Sequence, residues 1–112
     1  MPQYRILFRQ PAKEELARIR KFDQLRIRDA IAQYLATDPL RESRSRIKQI
    51  HAPHFSGYRL RIDAFRIFYT VRRRTVNVLR VMRKDAARRF LRRRRDKSEV
   101  GSRKSEVGSR KC

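Results

Sequence analysis

The sequence contains one cysteine, Cys112, at its last position, and only three glycines. A single cysteine excludes an intramolecular disulfide and a cysteine-based metal site, so we expect a reducing cytoplasmic setting and no metal. The glycines form no phosphate-binding loop, and the sequence has neither paired carboxylates nor a nucleophile motif. These absences leave no familiar cofactor-binding motif, and we expect no cofactor.

Long apolar runs are also absent. Arg5 and Arg9 interrupt the first ten residues, which leaves no apolar stretch long enough for a signal peptide or a membrane span. We therefore expect a soluble protein without a membrane partner.

Acidic residues are scarce. The sequence has 11 of them against 32 lysines and arginines, which gives a formal net charge of +21 and a pI near 11.7. This excess predicts a polyanionic partner, either nucleic acid or an acidic protein. Most of the positive charge is arginine, which forms bidentate pairs with phosphate and stacks on bases. The composition therefore favours phosphate recognition.

The chain divides into a folded domain and a tail. With 39% hydrophobic residues, a chain of 112 residues can fill one core but not two, so we predict a single domain over residues 1–92. This part holds 24 basic and 8 acidic residues, a net charge of +16. Residues 97–103 (KSEVGSR) recur unchanged as 104–110. A repeat with one valine per unit cannot bury a core, so residues 93–112 are predicted to be a disordered basic tail.

Residues 58–82 are the most informative segment, because apolar and polar residues alternate there with the period of a β-strand. A two-residue hairpin turn is predicted at Asp63-Ala64. One side of the predicted hairpin is apolar and carries Tyr58, Leu60, Ile62, Phe65, Ile67, Tyr69 and Val71. The other side carries Arg59, Arg61, Arg66, Phe68 and Thr70.

The predicted register places Arg61 directly opposite Arg66. Like charges that face each other across a strand pair destabilise a sheet by roughly 0.2–1 kcal/mol. Arg59, Arg61 and Arg66 would share one face of the sheet, so we expect an anion between them. A solvated face of a half-exposed antiparallel sheet is the alternative interpretation.

The segments before this hairpin predict a strand and two helices. Residues 4–8 are strand formers, and a helical stripe follows over residues 12–22 with Pro11 in the first turn. Asp23 is the predicted N-cap of a second helix, which the sequence Thr37-Asp38-Pro39 ends. Residues 39–56 predict a connecting loop with one weak strand or turn at most.

After the hairpin, a basic turn is predicted at Arg72-Arg73-Arg74, a last strand over residues 76–81 and a short helix over residues 84–95. The predicted fold class is therefore α+β. An N-terminal strand and a helix hairpin precede a three-strand antiparallel meander, which forms one sheet with helices on one face and a short C-terminal helix.

Several other residues have two open interpretations. Arg83 and Lys84 follow the last strand and either complete a phosphate clamp or serve solubility in a loop. Phe68, on the arginine side by alternation, either stacks an RNA base or covers the end of the core. Further phosphate contacts are expected from the loop residues Arg44, Arg46 and Lys48.

The two histidines, His51 and His54, flank Pro53 before the predicted sheet. Two histidines without a third ligand are weak support for a metal site. Histidine suits acid–base chemistry, but the predicted loop gives no geometry for it. RNA cleavage does not require histidine, because the 2′-hydroxyl is an internal nucleophile and arginines can stabilise the charge on the phosphorane. Lys84 is then the candidate for proton transfer.

The predicted order of elements, together with YRLRIDAFRIFYTV and the following VNVLRVMRK, resembles the RelE/ParE superfamily of bacterial and archaeal type II toxins. The resemblance covers residues 3–92. It implies one of two targets, since RelE-like members cleave mRNA on the ribosome and ParE-like members inhibit DNA gyrase. It also implies an acidic antitoxin partner and a hetero-oligomer with it.

Carried over from the RelE pattern, the resemblance assigns catalysis to Arg59, Arg61, Arg66 and Lys84, with Arg83 as a neighbour able to substitute. The usual tyrosine of the C-terminal segment falls on Phe90, which has no hydroxyl and implies a weaker nuclease. The expected function is an RelE-like mRNA endoribonuclease (mRNA interferase) that acts by 2′-hydroxyl attack. A ParE-like gyrase inhibitor and a non-catalytic basic nucleic-acid-binding domain remain the alternatives.

Overall fold

The computed structural model describes residues 3–92, so the predicted tail at 93–112 lies outside the described residues. The α+β fold class is confirmed. In chain order the elements are β1 (Arg5–Phe8), α1 (Gln10–Ala17), α2 (Lys21–Leu35), β2 (Ile47–Ala52), β3 (Phe55–Ile62), β4 (Phe65–Arg72), β5 (Thr75–Arg83) and α3 (Lys84–Arg92). They form one five-stranded sheet in the order β1-β5-β4-β3-β2. Strand β1 runs parallel to β5, and the other neighbours are antiparallel.

The helix pair α1 and α2 covers one face of the sheet, which we call the helix-pair face. The apolar side of the predicted hairpin packs here, as its alternation requires. The main core combines the buried residues Ala12, Leu16, Ile27, Ile31, Leu35, Ile47, Leu60, Ile62, Phe65, Ile67, Tyr69, Val76, Val78 and Val81.

The boundary between the first two helices differs from the prediction. Helix α1 ends at Ala17 and α2 begins at Lys21, so Asp23 lies in the first turn of α2 and is not its N-cap. The sequence predicted Phe22 to be the last apolar residue of the first helix, but Phe22 lies in α2 and is 62% exposed. The carbonyl of Ile19 accepts a hydrogen bond from Gln24 Nε2 at 2.7 Å, and this contact joins the inter-helix turn to α2.

Strand β2 occupies residues 47–52 of the segment 39–56, which was predicted to be a loop with one weak strand or turn at most. It pairs antiparallel with β3 along its whole length, with Ile47 opposite Leu60 and Lys48 opposite Arg59. Ile47 is buried in the main core, while Lys48, Gln49 and His51 are exposed as on many edge strands. Pairing with β3 therefore defines this strand, because apolar and polar residues do not alternate strictly in its own sequence, IKQIHA.

Helix α3 lies on the opposite face of the sheet, which we call the arginine face. Here a second, smaller cluster buries Phe55, Phe68, Met82 and Ala87, with Phe90 packed against it. The predicted helix extended to residue 95, and its last three residues lie outside the described part. None of the helices in residues 3–92 is long and apolar enough to cross a membrane.

Tyr69 links the sheet to the loop that follows α2. Its ring is fully buried, and its hydroxyl donates a 2.6 Å hydrogen bond to the carbonyl of Pro39. Burial, and secondarily the neighbouring Tyr58, raises the pKa of Tyr69. The protonated hydroxyl is therefore part of the folded structure.

We expect Tyr69→Phe to lower the free energy of unfolding at pH 7 by about 1–3 kcal/mol, because the Pro39 carbonyl loses its donor. An unfolded tyrosine ionises near pH 10, while Tyr69 keeps its proton in the folded state. The unfolded state then binds fewer protons, so the stability that Tyr69 contributes is lost as the pH rises above about 10. Urea unfolding from about pH 9 to 11 should show a steeper loss in wild type than in Tyr69→Phe. Tyr4→Phe is the control, and equal slopes in wild type and Tyr69→Phe would contradict this account.

Candidate functional site

The structure brings the predicted arginines together on the arginine face. Arg61 lies directly opposite Arg66 in the β3–β4 ladder, as the alternation predicts. Arg59 lies on the same face, opposite Phe68. On its other side Arg59 faces Lys48 of β2, so Lys48 extends the basic row towards the edge of the sheet.

Arg59 and Arg66 line a pocket of about 190 Å³ between the sheet and α3. Lys84 is the first residue of α3, and its backbone N–H donates a 2.8 Å hydrogen bond to the carbonyl of Ala64 in the β3–β4 turn. This bond fixes the start of the helix beside the arginines. The full lining is Arg59, Arg66, Lys84, Ala87, Arg88 and Leu91.

Arg88 is the lining residue that sequence reasoning missed. It follows Lys84 by four residues, which places both cations on one side of α3. The same spacing was visible in the sequence, but the face against which the helix packs was not. Residues 84, 87, 88 and 91 together form the helical stripe that faces the pocket.

Burial and mutual repulsion both act on the cations of the pocket. Burial, and then the charge of Arg61, lowers the pKa of Arg59. Burial also lowers the pKa of Arg66, followed by the charges of Arg61, Arg59 and Arg88. Within residues 3–92 none of these four arginines forms an ion pair with an acid. An anion in the pocket would relieve both the repulsion and the loss of hydration.

One polar atom of the pocket is left without a partner. Arg59 Nε is buried and makes no hydrogen bond within the described part of the chain. A buried donor in this state costs about 1–3 kcal/mol. A phosphate or carboxylate oxygen in the pocket would accept from it, and charge-assisted bonds of this kind are about twice as strong as neutral ones.

Arg66 is held in place by the β3–β4 turn. Its Nη1 donates to the carbonyls of Asp63 at 2.8 Å and Phe65 at 2.9 Å. Asp63 has a φ of 51°, and its carboxylate forms an ion pair with Arg26 of α2. Arg66 therefore binds neutral carbonyls of the turn, whereas the carboxylate of Asp63 pairs with Arg26 on the helix-pair face.

Phe68 and Phe90 do not line the pocket. Phe68 is fully buried and packs against Phe55 and Phe90, with ring centroids 5.3 and 5.1 Å away. Of the two interpretations of Phe68, the structure therefore supports packing in the second core, because a fully buried ring is not exposed to stack on an RNA base. Phe90 also packs edge-on against the exposed His54, at 4.8 Å. The apolar residues of α3 that line the pocket are Ala87 and Leu91.

Arg83, a candidate for the phosphate clamp, and Arg46, a candidate for loop contacts to phosphate, do not line the pocket. Arg83 lies opposite Phe65 in the ladder, and its guanidinium lies 4.9 Å from the centre of that ring. The Arg46 guanidinium lies 5.4 Å from the centre of the Tyr34 ring on the helix-pair face. Its Nη1 also donates to the carbonyl of Arg61 at 3.0 Å. Arg44 is exposed in the loop before β2, and neither His51 nor His54 lines the pocket.

Comparison with solved structures shows the same fold in complexes of toxins with antitoxins. A chain of the RelBE2 toxin-antitoxin complex from Mycobacterium tuberculosis matches at 23% identity with a TM-score of 0.62, over 75% of this chain and 100% of that chain. A chain of the archaeal RelE-RelB complex from Pyrococcus horikoshii OT3 matches at 17% identity with a TM-score of 0.57, over 73% of this chain and 96% of that chain. A chain of the RelB-RelE complex from Methanococcus jannaschii matches at 21% identity with a TM-score of 0.55, over 75% of this chain and 96% of that chain. At these identities the likeness shows the fold alone.

The sequence itself was compared with family models and with curated proteins. No curated protein matches it. The family model for the ParE toxin of the type II toxin-antitoxin system parDE matches residues 6–88, which run from β1 into α3 and include the lining residues Arg59, Arg66, Lys84, Ala87 and Arg88. The chain therefore belongs to the ParE toxin family, within the RelE/ParE superfamily of type II toxins.

Proposed function

We propose that this toxin is an endoribonuclease that binds an RNA phosphate in the arginine pocket and cleaves translated mRNA at the ribosome. The observation that carries the proposal is the set of cations on the arginine face that form no ion pair within residues 3–92, together with a buried Arg59 Nε that lacks an acceptor there. A pocket of about 190 Å³ is smaller than the roughly 300–1,000 Å³ of typical small-molecule sites. It suits one phosphate group better than a whole nucleotide.

The proposed chemistry uses the RNA as its own nucleophile. The 2′-oxygen attacks the adjacent phosphorus, the bond to the 5′-oxygen breaks, and a 2′,3′-cyclic phosphate forms. Negative charge builds on the phosphorane oxygens during this step. Arg66 is held by the carbonyls of Asp63 and Phe65 before the substrate arrives, so it stabilises that charge without reorganising, and Arg59 provides a second donor. Arg61 and Arg88 add to the positive potential around the pocket.

Two protons must also move, one from the 2′-hydroxyl and one to the leaving 5′-oxygen. Lys84 is the titratable lining residue that is not an arginine. Arginine keeps its proton in proteins, whereas an amine can give one up and take it back. We therefore assign proton donation to the leaving oxygen to Lys84, with a water molecule as the acceptor from the 2′-hydroxyl.

An acidic antitoxin is the proposed protein partner. The solved structures with this fold are toxin-antitoxin complexes, and residues 1–92 carry a net charge of +16. Complementary charge of this size gives fast association that weakens with salt. An antitoxin segment over the arginine face would supply the carboxylates that the described cations of the pocket lack.

We expect the double variant Arg61→Ala, Arg66→Ala to lose mRNA cleavage by at least about 10²-fold, since removing one preorganised donor to a developing oxyanion already costs about 10²–10³ in kcat. Primer extension on a reporter mRNA in a translation extract measures the cuts. The control is Arg18→Gln, an exposed arginine that follows α1 on the helix-pair side. Discrete cuts with wild type and Arg18→Gln that vanish with the double variant would support the proposal. Intact mRNA with wild type would overturn it.

Two substitutions of Lys84 distinguish a role of its positive charge from a role in proton transfer. We expect Lys84→Ala to lower kcat by about 10²-fold or more, within the range of general acid–base contributions. Lys84→Arg keeps the charge, so it should retain RNA binding and KM but still lose kcat, because arginine does not release its proton. Single-turnover cleavage measured across pH distinguishes the two effects. Full activity of Lys84→Arg would reduce the role of Lys84 to charge alone.

Inhibition of DNA gyrase is the second candidate function. It is favoured by the match to the ParE model and by a described pocket lining that contains no hydroxyl, imidazole or carboxylate. Such a toxin would be a binding module without chemistry of its own. Inhibition of purified gyrase in a supercoiling assay, with intact mRNA in the translation extract, would assign the toxin to this function.

A further inference from the structure

The β4–β5 turn carries a second group of arginines at the other end of the sheet. Arg72 ends β4, Arg73 and Arg74 form the two-residue turn, and Arg5 of β1 lies beside them, opposite Thr75. Arg5, Arg72 and Arg73 are exposed, and none of the four arginines forms an ion pair within the described chain. We call these four residues the arginine turn. It is separate from the pocket, to which none of them contributes.

The backbone of the turn is unfavourable for the residue that it contains. Arg73 has a φ of 57°, in the left-handed region. Glycine adopts this region freely, and asparagine and aspartate are several-fold enriched there, whereas other residues are uncommon. The β3–β4 turn has one of these favoured residues, because Asp63, with a φ of 51°, occupies the first turn position that Arg73 occupies in the β4–β5 turn. The backbone geometry of the turn therefore does not account for an arginine at position 73.

Arg74 has a structural role that the other arginines of the turn lack. Its Nη1 donates to the side-chain oxygen of Gln3 at 3.2 Å, and its guanidinium lies 5.9 Å from the centre of the Tyr4 ring. Its carbonyl accepts a 2.7 Å hydrogen bond from the N–H of Arg5. These contacts join the turn to β1 and leave the charges of Arg5, Arg72 and Arg73 directed at solvent.

We propose that the arginine turn is a second phosphate-binding site, which holds the RNA backbone at a distance from the pocket. Arg66 and Arg72 are six residues apart on β4, which at about 3.3 Å per residue separates the two sites by about 20 Å. The turn presents arginines and no large apolar side chain, whereas protein interfaces have an apolar centre. An RNA backbone is therefore favoured over an acidic protein. The inference rests on the proposed RNA-directed function.

The test is the affinity for a single-stranded, 2′-O-methyl RNA, which lacks the attacking hydroxyl and so reports binding without cleavage. Arg72→Gln, Arg73→Asn should bind more weakly, and the slope of log K against log salt should decrease by about 0.7 for each phosphate that the variant no longer neutralises, or about 1.4 for the pair. The same variant should melt at a higher temperature than wild type, because asparagine suits the left-handed position. A purely structural role of Arg73 would not combine higher stability with weaker binding.

Two control variants of the full chain isolate the effect. Arg72→Lys, Arg73→Lys keeps the charge and should retain most of the slope. Lys13→Gln, Arg18→Gln removes two exposed charges of the helix-pair side and should change the slope less. A slope for the Arg72, Arg73 variant equal to that of the Lys13, Arg18 control would overturn the proposal. Loss of binding to poly-glutamate with unchanged RNA binding would also overturn it, in favour of a protein-binding turn.

Failure of this inference is distinguishable from failure of the proposed function. If wild type cleaves mRNA but the arginine-turn variant keeps the wild-type slope, the second site alone is wrong. If wild type does not cleave mRNA but the variant shows the smaller slope, the second site is supported as an RNA-binding site and the endoribonuclease proposal is wrong.

Discussion

Repulsion between like charges on the arginine face is the constraint on which the site depends. Arg61 faces Arg66 across the ladder, and burial with these mutual charges lowers the pKa values of Arg59 and Arg66. The sheet tolerates this because its opposite face buries the large core against α1 and α2. Each strand of the hairpin thus has one side that stabilises the fold and one side whose like charges cost stability.

The acidic residues within residues 3–92 form no ion pair with the cations of the pocket. Glu15 in α1 reaches the sheet, where it accepts from Arg80 Nη2 at 2.7 Å and from the backbone N–H of Val81 at 2.8 Å. These contacts lie just beyond the irregularity in the β4–β5 ladder. The paired Arg80 guanidinium lies 5.3 Å from the centre of the Phe90 ring on α3. A carboxylate of the helix pair therefore helps to position the helix that completes the pocket, while leaving Arg59 and Arg66 unpaired.

Alternation within one hairpin predicted the part of the site that is local in sequence. The register that places Arg61 opposite Arg66 follows from a period of two and a two-residue turn, and both are properties of residues 58–71. Contacts between distant segments were not predictable in this way. Strand β2 exists because β3 pairs with it, and Phe68 is buried because α3 docks on its side of the sheet. The same docking brings Arg88 to the pocket, which no local pattern indicated.

Helix α3 decides what chemistry the pocket can perform. Lys84, Ala87 and Arg88 lie on the stripe that faces the arginines, whereas Phe90 lies on a neighbouring side and fills the second core. A tyrosine at position 90 would therefore have its ring among Phe55, Phe68 and His54 and outside the pocket lining. The phenylalanine at this position is explained by packing and argues neither for gyrase inhibition nor against cleavage. Ala87 and Leu91 on the pocket stripe supply no functional group, so the proposed proton transfer rests on Lys84.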